Sequence, residues 1–289
     1  KALKIDGSTG EVGGQIIRTA LSLSMLTGTP IEMTNIRAGR AKPGLMRQHL
    51  MCLQASQQIS AAKVTGAHLG STAFTFAPKA IKSGAYSFDI GSAGSTSLVL
   101  QTLLPALLFA SSDEQTIDPI KSTVTIKGGT HNPLAPTIDF LQQAFVPALN
   151  KLGMQVDIDC PQAGFAPIGG GVIKATITPY LRHATSDYFK LVERGKLISI
   201  ELVVSNLNLD YDICKRQLAS ANNTLVEAGV DEALITVQGN KLLGIGEGNT
   251  GYAIITHKVE NQLHQEVFTL LGEKRASTEK MGNRLAGLV

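Results

Sequence analysis

The feature that most constrains this chain is an order of elements that occurs twice. Over residues 1–77 the pattern predicts strand, helix, strand, helix, strand, strand. A short apolar run at 2–5 is followed by a glycine-rich turn at 10–14, a helix over 15–26 and a strand at 31–36. A second helix is predicted from Pro43, with Leu45, His49, Leu50 and Leu53 at helical spacing, and β-prone residues follow at 64 and 72–76. The order then returns, with a strand at 86–90, a small-residue turn at 91–95 and an apolar helix over 96–110 that carries Pro105. A strand at 123–126, a helix opened by Asn132 and Pro133 and running to 152, and strands at 154–158 and 172–177 complete it. The two blocks are offset by roughly 85 residues, which reads as an internal duplication of a β/α unit. Alternation of this kind places the chain in the α/β (α+β) class, with helices packed on mixed sheets.

From residue 179 the pattern changes. A strand at 197–204, a helix over 211–228 and strands at 234–237 and 252–257 read as a small inserted unit spanning 179–265. A strand at 266–271, a turn at 272–275 and a helix over 278–288 then read as the first elements of a third block. The expected organisation is a large domain of residues 1–178 and 266–289, interrupted by a small domain of residues 179–265. A third block of one strand and one helix would leave unpaired edges, so the expectation is a chain shorter than its ancestor.

Composition narrows the function classes. With 43 % hydrophobic residues and no Trp, the chain can build a core, and that core must rest on Leu, Ile, Val and Ala. A formal charge of +3 is too small to hold nucleic acid by charge alone, so any RNA contact is expected at a local basic pocket. Cys52, Cys160 and Cys214 are far apart and show no metal-ligand spacing, which predicts three separate reduced thiols. No apolar run is long enough for a signal peptide or a membrane span, and a cytoplasmic protein with no membrane partner is expected.

Five stretches could carry chemistry. Glu11, Gln15 and Arg18 surround a glycine-rich turn that opens a helix, where free N–H groups favour an anion and a carboxylate could hold a metal ion. The segment 37–49 gathers Arg37, Arg40, Lys42 and Arg47 between small residues, backed by Gln48 and His49. Its guanidinium forks match phosphate oxygens, and the competing reading is a solvated charged loop with His49 in the core. The turn 91–95 with Gln101, the run 128–133 and the run 165–171 could each bring backbone close to a ligand or serve only as turns.

Together these stretches resemble the RNA 3′-terminal phosphate cyclase family, in its bacterial-type form. The pieces run in order from Ile5 to Arg275: DGxxGExGGQIxR at 6–18, IRAGRAKPGLxRQHL at 36–50, GSAGS with LVLQTxLPA at 91–106, GGTxNPxAP at 128–136, glycines 169–171, and GEKR at 272–275. The resemblance implies three repeated β/α units, the third incomplete here, with a small inserted thioredoxin-like domain. It implies an ATP-dependent ligase-class enzyme of RNA processing that uses Mg²⁺ or Mn²⁺ and acts on RNA 3′-phosphate ends. A histidine would take AMP from ATP, AMP would pass to the RNA 3′-phosphate, and the 2′-hydroxyl would close a 2′,3′-cyclic phosphate. Carried over by position, Glu11 would serve the metal and triphosphate. Gln15, Arg18, Arg37, Arg40, Gln48 and His49 would line the phosphate site, Gln101 would contact ATP, and Pro136 would lie beside adenine. The family's nucleophilic histidine stands in an HxSxHLxTN motif that does not occur before Val289, and none of the six histidines here stands in one. The chain as written is therefore expected to lack the nucleophile and to form no AMP adduct. An inactive relative that binds RNA or a ribosome-assembly partner is the alternative, and the oligomeric state stays open, a homodimer among the options.

Overall fold

β1 (Leu3–Asp6) pairs in parallel with β2 (Ile31–Thr34), and α1 (Gln15–Thr27) connects them. The structure, a computed structural model, describes residues 1–9, 13–110, 119–180, 190–260 and 262–289. After β2, α2 (Arg47–Ser60) leads to β3 (Lys63–Thr65) and β4 (Phe74–Ala77), which pair antiparallel to give the order β1-β2-β4-β3. The second sheet repeats this plan. β5 (Ala85–Asp89) and β6 (Ser122–Gly128) are parallel and joined through α3 (Thr96–Leu108). Next come α4 (Ile138–Phe140), a π-helical turn (Leu141–Phe145) and α5 (Val146–Lys151). β7 (Val156–Gln162) and β8 (Gly171–Ile177) then close the order β5-β6-β8-β7. Two parallel strands followed by two antiparallel ones, in the same spatial order, is the duplication expected from the sequence.

The repeats share one core. α3 is apolar nearly all round, and Leu100, Leu103 and Leu107 are fully buried in it. A helix of that kind needs cover on every side, and α1 and α2 pack against it while residues of both sheets join the same apolar cluster. Pro105 sits inside α3 without ending it.

The third sheet has its own order, β10-β9-β11-β12. β9 (Lys196–Leu207) and β10 (Ile235–Leu242) are parallel and joined by α6 (Tyr211–Glu227). β11 (Gly248–Val259) and β12 (Gln262–Leu271) add as an antiparallel hairpin, and α7 (Thr278–Ala286) follows. A parallel βαβ pair beside an antiparallel hairpin is the thioredoxin-like arrangement. α6 and α7 bury one face through Leu202, Val204, Cys214, Ala253, Ile255 and Leu285. The other face, with Val203, Tyr252, Ile254 and Val267, lies against Phe140 and Ala144 of the second repeat.

Three boundaries differ from the sequence expectation. The division at 265/266 falls inside β12, which pairs with β11 from Gln262 to Leu271, and α7 packs on α6, so residues 266–289 complete the third sheet's layer. α2 begins at Arg47, not Pro43. Gly44 is left-handed (φ 80°), and the N–H of Leu45 bonds the Ser71 carbonyl instead of entering a helix. Asn132 caps no helix, because its amide donates to the Ala93 carbonyl (2.6 Å), and Thr137 caps α4 instead. The three cysteines are free thiols, as expected. Among the described residues no helix is long and apolar enough to cross a membrane.

Candidate functional site

Gly14, the residue before α1, has no side chain to cap the helix's first N–H groups, and such a helix start offers donors and the positive end of the dipole to an anion. The start of α2 meets it there. A Cβ at Gly14 would lie 2.3 Å from His49 Nε2 and 2.9 Å from Arg18 Nη1, so a glycine backbone, an imidazole and a guanidinium converge on one point. Arg18 is only 8 % exposed. Its Nη2 donates to Gln15 Oε1 (2.6 Å), while its Nε is buried with no hydrogen-bond partner among the described residues. Burial pushes the Arg18 pKa down, yet a guanidinium keeps its charge.

Arg37 and Arg40 come from the loop after β2. Arg37 adopts left-handed backbone geometry (φ 54°), and its Nη1 donates to the carbonyls of Lys42 (2.7 Å) and Gly44 (3.1 Å), which closes the loop on itself. Burial, and then the charge of Arg40, push the Arg37 pKa down; Arg40 itself is exposed.

His49 lies between these cations. Burial first, then Arg37 and Arg18, pull its pKa down to about 4. The Met46 N–H donates to His49 Nδ1 (3.2 Å), so the proton of the neutral ring sits on Nε2, the nitrogen that faces Gly14 and Arg18. The site thus presents like charges crowded together plus a neutral N–H donor, an arrangement that an anion would relieve.

This geometry has a consequence for acid stability. Unfolded His49 takes its proton near pH 6.5 and the folded residue only near 4. Between those values the unfolded chain binds more protons, so stability is fully present above pH 6.5 and is lost as pH falls toward 4. The expected loss between pH 7 and pH 4.5 is about 2 kcal/mol. Urea unfolding at pH 7 and pH 4.5 should show it in the parent chain, and the loss should be smaller in His49→Gln. Equal losses in both chains would contradict the assignment.

Gln48 joins this cluster to the second repeat. Its Oε1 accepts from the Ser95 N–H (2.7 Å) at the start of α3. Ser97 then donates to the Pro136 carbonyl (2.7 Å), and Gln101 lies exposed one turn further along α3. Arg18, Gln15, Arg37 and His49 are thus gathered at one place, and Gln48 ties that place to the start of α3, the helix that carries Gln101. Glu11 lies outside the described residues, and with it the expected metal ligand.

Sequence reasoning missed how these candidate stretches meet. Arg47 Nη1 lies 3.3 Å from the Cβ position of Gly91, which places this cation over the 91–95 turn. Behind that turn, His131 is buried, stacked on Phe165 (centroids 4.6 Å apart), and bonded to Thr130 (2.7 Å) and Asp139 (3.1 Å). Asp139 also accepts from Thr250 of the third sheet (3.4 Å). These groups come from separate segments, so no local spacing could have announced them.

Comparison with known proteins points to one family. The family model described as RNA 3′-terminal phosphate cyclase matches residues 9–277. The chain is 42 % identical over 282 residues to the RNA 3′-terminal phosphate cyclase of Koribacter versatilis (strain Ellin345), covering 98 % of this chain and 74 % of that protein. It is 42 % identical over 286 residues to the protein of the same description from Ralstonia nicotianae (strain ATCC BAA-1114 / GMI1000), covering 98 % and 76 %.

Proposed function

The chain belongs to the RNA 3′-terminal phosphate cyclase family, and from that membership we propose that it takes part in the ATP-dependent conversion of an RNA 3′-terminal phosphate to a 2′,3′-cyclic phosphate. One observation carries the reading: a buried Arg18 with an unpartnered Nε, set beside the Nε2–H of His49 at a point that only glycine backbone leaves open. A buried donor without a partner is costly, and a phosphate oxygen would satisfy it.

ATP, when bound, would supply the adenylyl group that makes the terminal phosphate an electrophile, with pyrophosphate released as that group is transferred and AMP leaving as the 2′-hydroxyl attacks. The chain's own residues bind and orient. Arg18, with Arg37 and Arg40, neutralises the charge gathered on the phosphates. Gln15 holds the guanidinium of Arg18 in place through their 2.6 Å bond. His49 has spent its Nδ1 lone pair on the Met46 N–H and offers only a proton at Nε2, so it is a donor to phosphate oxygen and not the nucleophile. Gln48 fixes the Ser95 turn against the phosphate cluster, and Gln101 and Pro136 flank the neighbouring position where a nucleoside would lie. Glu11 is proposed as the carboxylate for Mg²⁺ or Mn²⁺ by its place in the motif alone, and no step is assigned to that ion.

The test uses the full-length gene product with ATP, Mg²⁺ and an RNA labelled in its 3′-phosphate. The label should become resistant to phosphatase, with one AMP released for each end converted. A label that stays phosphatase-sensitive in the presence of bound ATP would refute the proposal.

A further inference from the structure

Far from the phosphate cluster, three polar side chains occupy a face that the fold otherwise fills with apolar ones. In the β11–β12 hairpin His257 lies directly opposite His264, and Glu266 follows two residues after His264. The three therefore share one face. Ala253, Ile255, Phe268 and Leu270, on the same face, pack into the core beneath α6 and α7. At the other end of the hairpin two imidazoles and a carboxylate take their place. The β9–β11 pairing shifts register between Thr256 and His257, the kind of irregularity that re-aims a side chain.

The two imidazoles are not satisfied as they stand. His257 is 5 % exposed, and the Nδ1 atoms of both His257 and His264 are buried without a hydrogen-bond partner among the described residues. His257 Nδ1 lies 3.7 Å from Glu266 Oε2, too far for a hydrogen bond, and one ligand atom from each residue falls within 4.8 Å of the others. Two adjacent buried ring nitrogens without partners call for a shared one.

We propose that His257, His264 and Glu266 bind a divalent transition-metal ion, zinc in the first instance, which pins the β11–β12 hairpin. Two imidazoles and a carboxylate suit zinc and its neighbours in the first transition row, whereas Mg²⁺ prefers an all-oxygen shell. Bonds of about 2.0–2.2 Å in a tetrahedral shell put ligand atoms about 3.3 Å apart. The 3.7 Å between His257 Nδ1 and Glu266 Oε2 lies close to that value, with the strand register already set. The Nε and Nη2 of Arg194 both donate to Glu266 Oε2 (3.0 and 2.7 Å), which fixes the carboxylate as an outer partner would. The charge of Arg194 opposes the ion but is solvent-exposed and screened. A cavity of about 270 Å³ lined by Lys151, Leu191, Gln262, Leu263 and His264 opens beside His264.

The test takes the tag-free chain, stripped with a chelator, and titrates Zn²⁺ by calorimetry and Co²⁺ by visible absorption. One saturable equivalent is expected, with the d–d bands of four-coordinate cobalt and a zinc-dependent rise in melting temperature. His257→Ala and His264→Gln should each weaken binding by at least about 10–100-fold, the range seen when a ligand's orienting partner is lost. His68→Ala, at an exposed histidine, should leave binding unchanged. Far-UV circular dichroism establishes that each variant is folded, and the half-buried His264 site keeps the test decisive where His257→Ala is not. No saturable binding, or equal binding in parent and His264→Gln, overturns the proposal.

Discussion

Alanine at position 164 is expected to cost more than about 3 kcal/mol of stability, beyond the usual range for overpacking by one methyl group. A Cβ at Gly164 would sit 2.3 Å from the Gly171 nitrogen and 2.7 Å from the Gly128 carbonyl oxygen. Every clash is with backbone, so no side chain can swing away. The residue is also a node of hydrogen bonds. Its carbonyl accepts from the N–H of Thr130 (2.8 Å), and its own N–H donates to Thr130 Oγ1 (3.0 Å). Displacing it pulls apart the His131–Phe165 stack and the turns behind Ser95. Gly28 is the control, because a Cβ there meets nothing within 4 Å. Only its left-handed backbone (φ 66°) resists alanine, at about 1–2 kcal/mol. Urea denaturation of both variants checks the contrast, and a midpoint for Gly164→Ala close to that of Gly28→Ala would contradict it.

The second large effect falls on binding. Arg18→Met keeps the aliphatic stem and removes the fork. Charge-assisted hydrogen bonds contribute about 1.5–3 kcal/mol, so ATP binding should weaken roughly 10–150-fold. Stability should move the other way or not at all. A buried guanidinium whose Nε has no partner is a burden on the folded state, and an apolar replacement of similar shape is often neutral or stabilising. Arg18→Lys should fall between, since it keeps charge without the planar fork. Calorimetric titration with ATP, read beside denaturant unfolding, separates the two quantities. Loss of stability together with unchanged ATP affinity would make Arg18 a structural residue.

The sequence carried the repeat because hydrophobic periodicity and turn residues are local signals, and both sheets then follow the same strand order. It also carried the cation cluster, since Arg37, His49 and their neighbours fall within one short segment. Where it misled, a non-local contact had overruled a local preference. Asn132 and Pro133 make a sound helix start, but the carbonyl of Ala93 claims the asparagine. Pro43 is a fair first helical residue, but Gly44 passes so close to the Gly70 carbonyl (2.3 Å from a would-be Cβ) that the chain cannot coil there. The strand expected at 266–271 read as a new beginning because nothing in its own residues says that β11 is its partner. The histidine pair of that hairpin was hidden for the same reason: His257 and His264 become neighbours only through strand register.

The central claim is that the cluster of Arg18, Arg37 and His49 recognises the phosphate at an RNA 3′ end. Its most direct test compares two RNAs of identical sequence, one ending in a 3′-phosphate and one in a 3′-hydroxyl, in binding titrations at one salt concentration. The account predicts that the phosphorylated RNA binds more tightly by at least about tenfold, equivalent to ~1.4 kcal/mol, and that Arg18→Met abolishes the difference. Equal affinity for the two ends, or a preference that survives Arg18→Met intact, would contradict it.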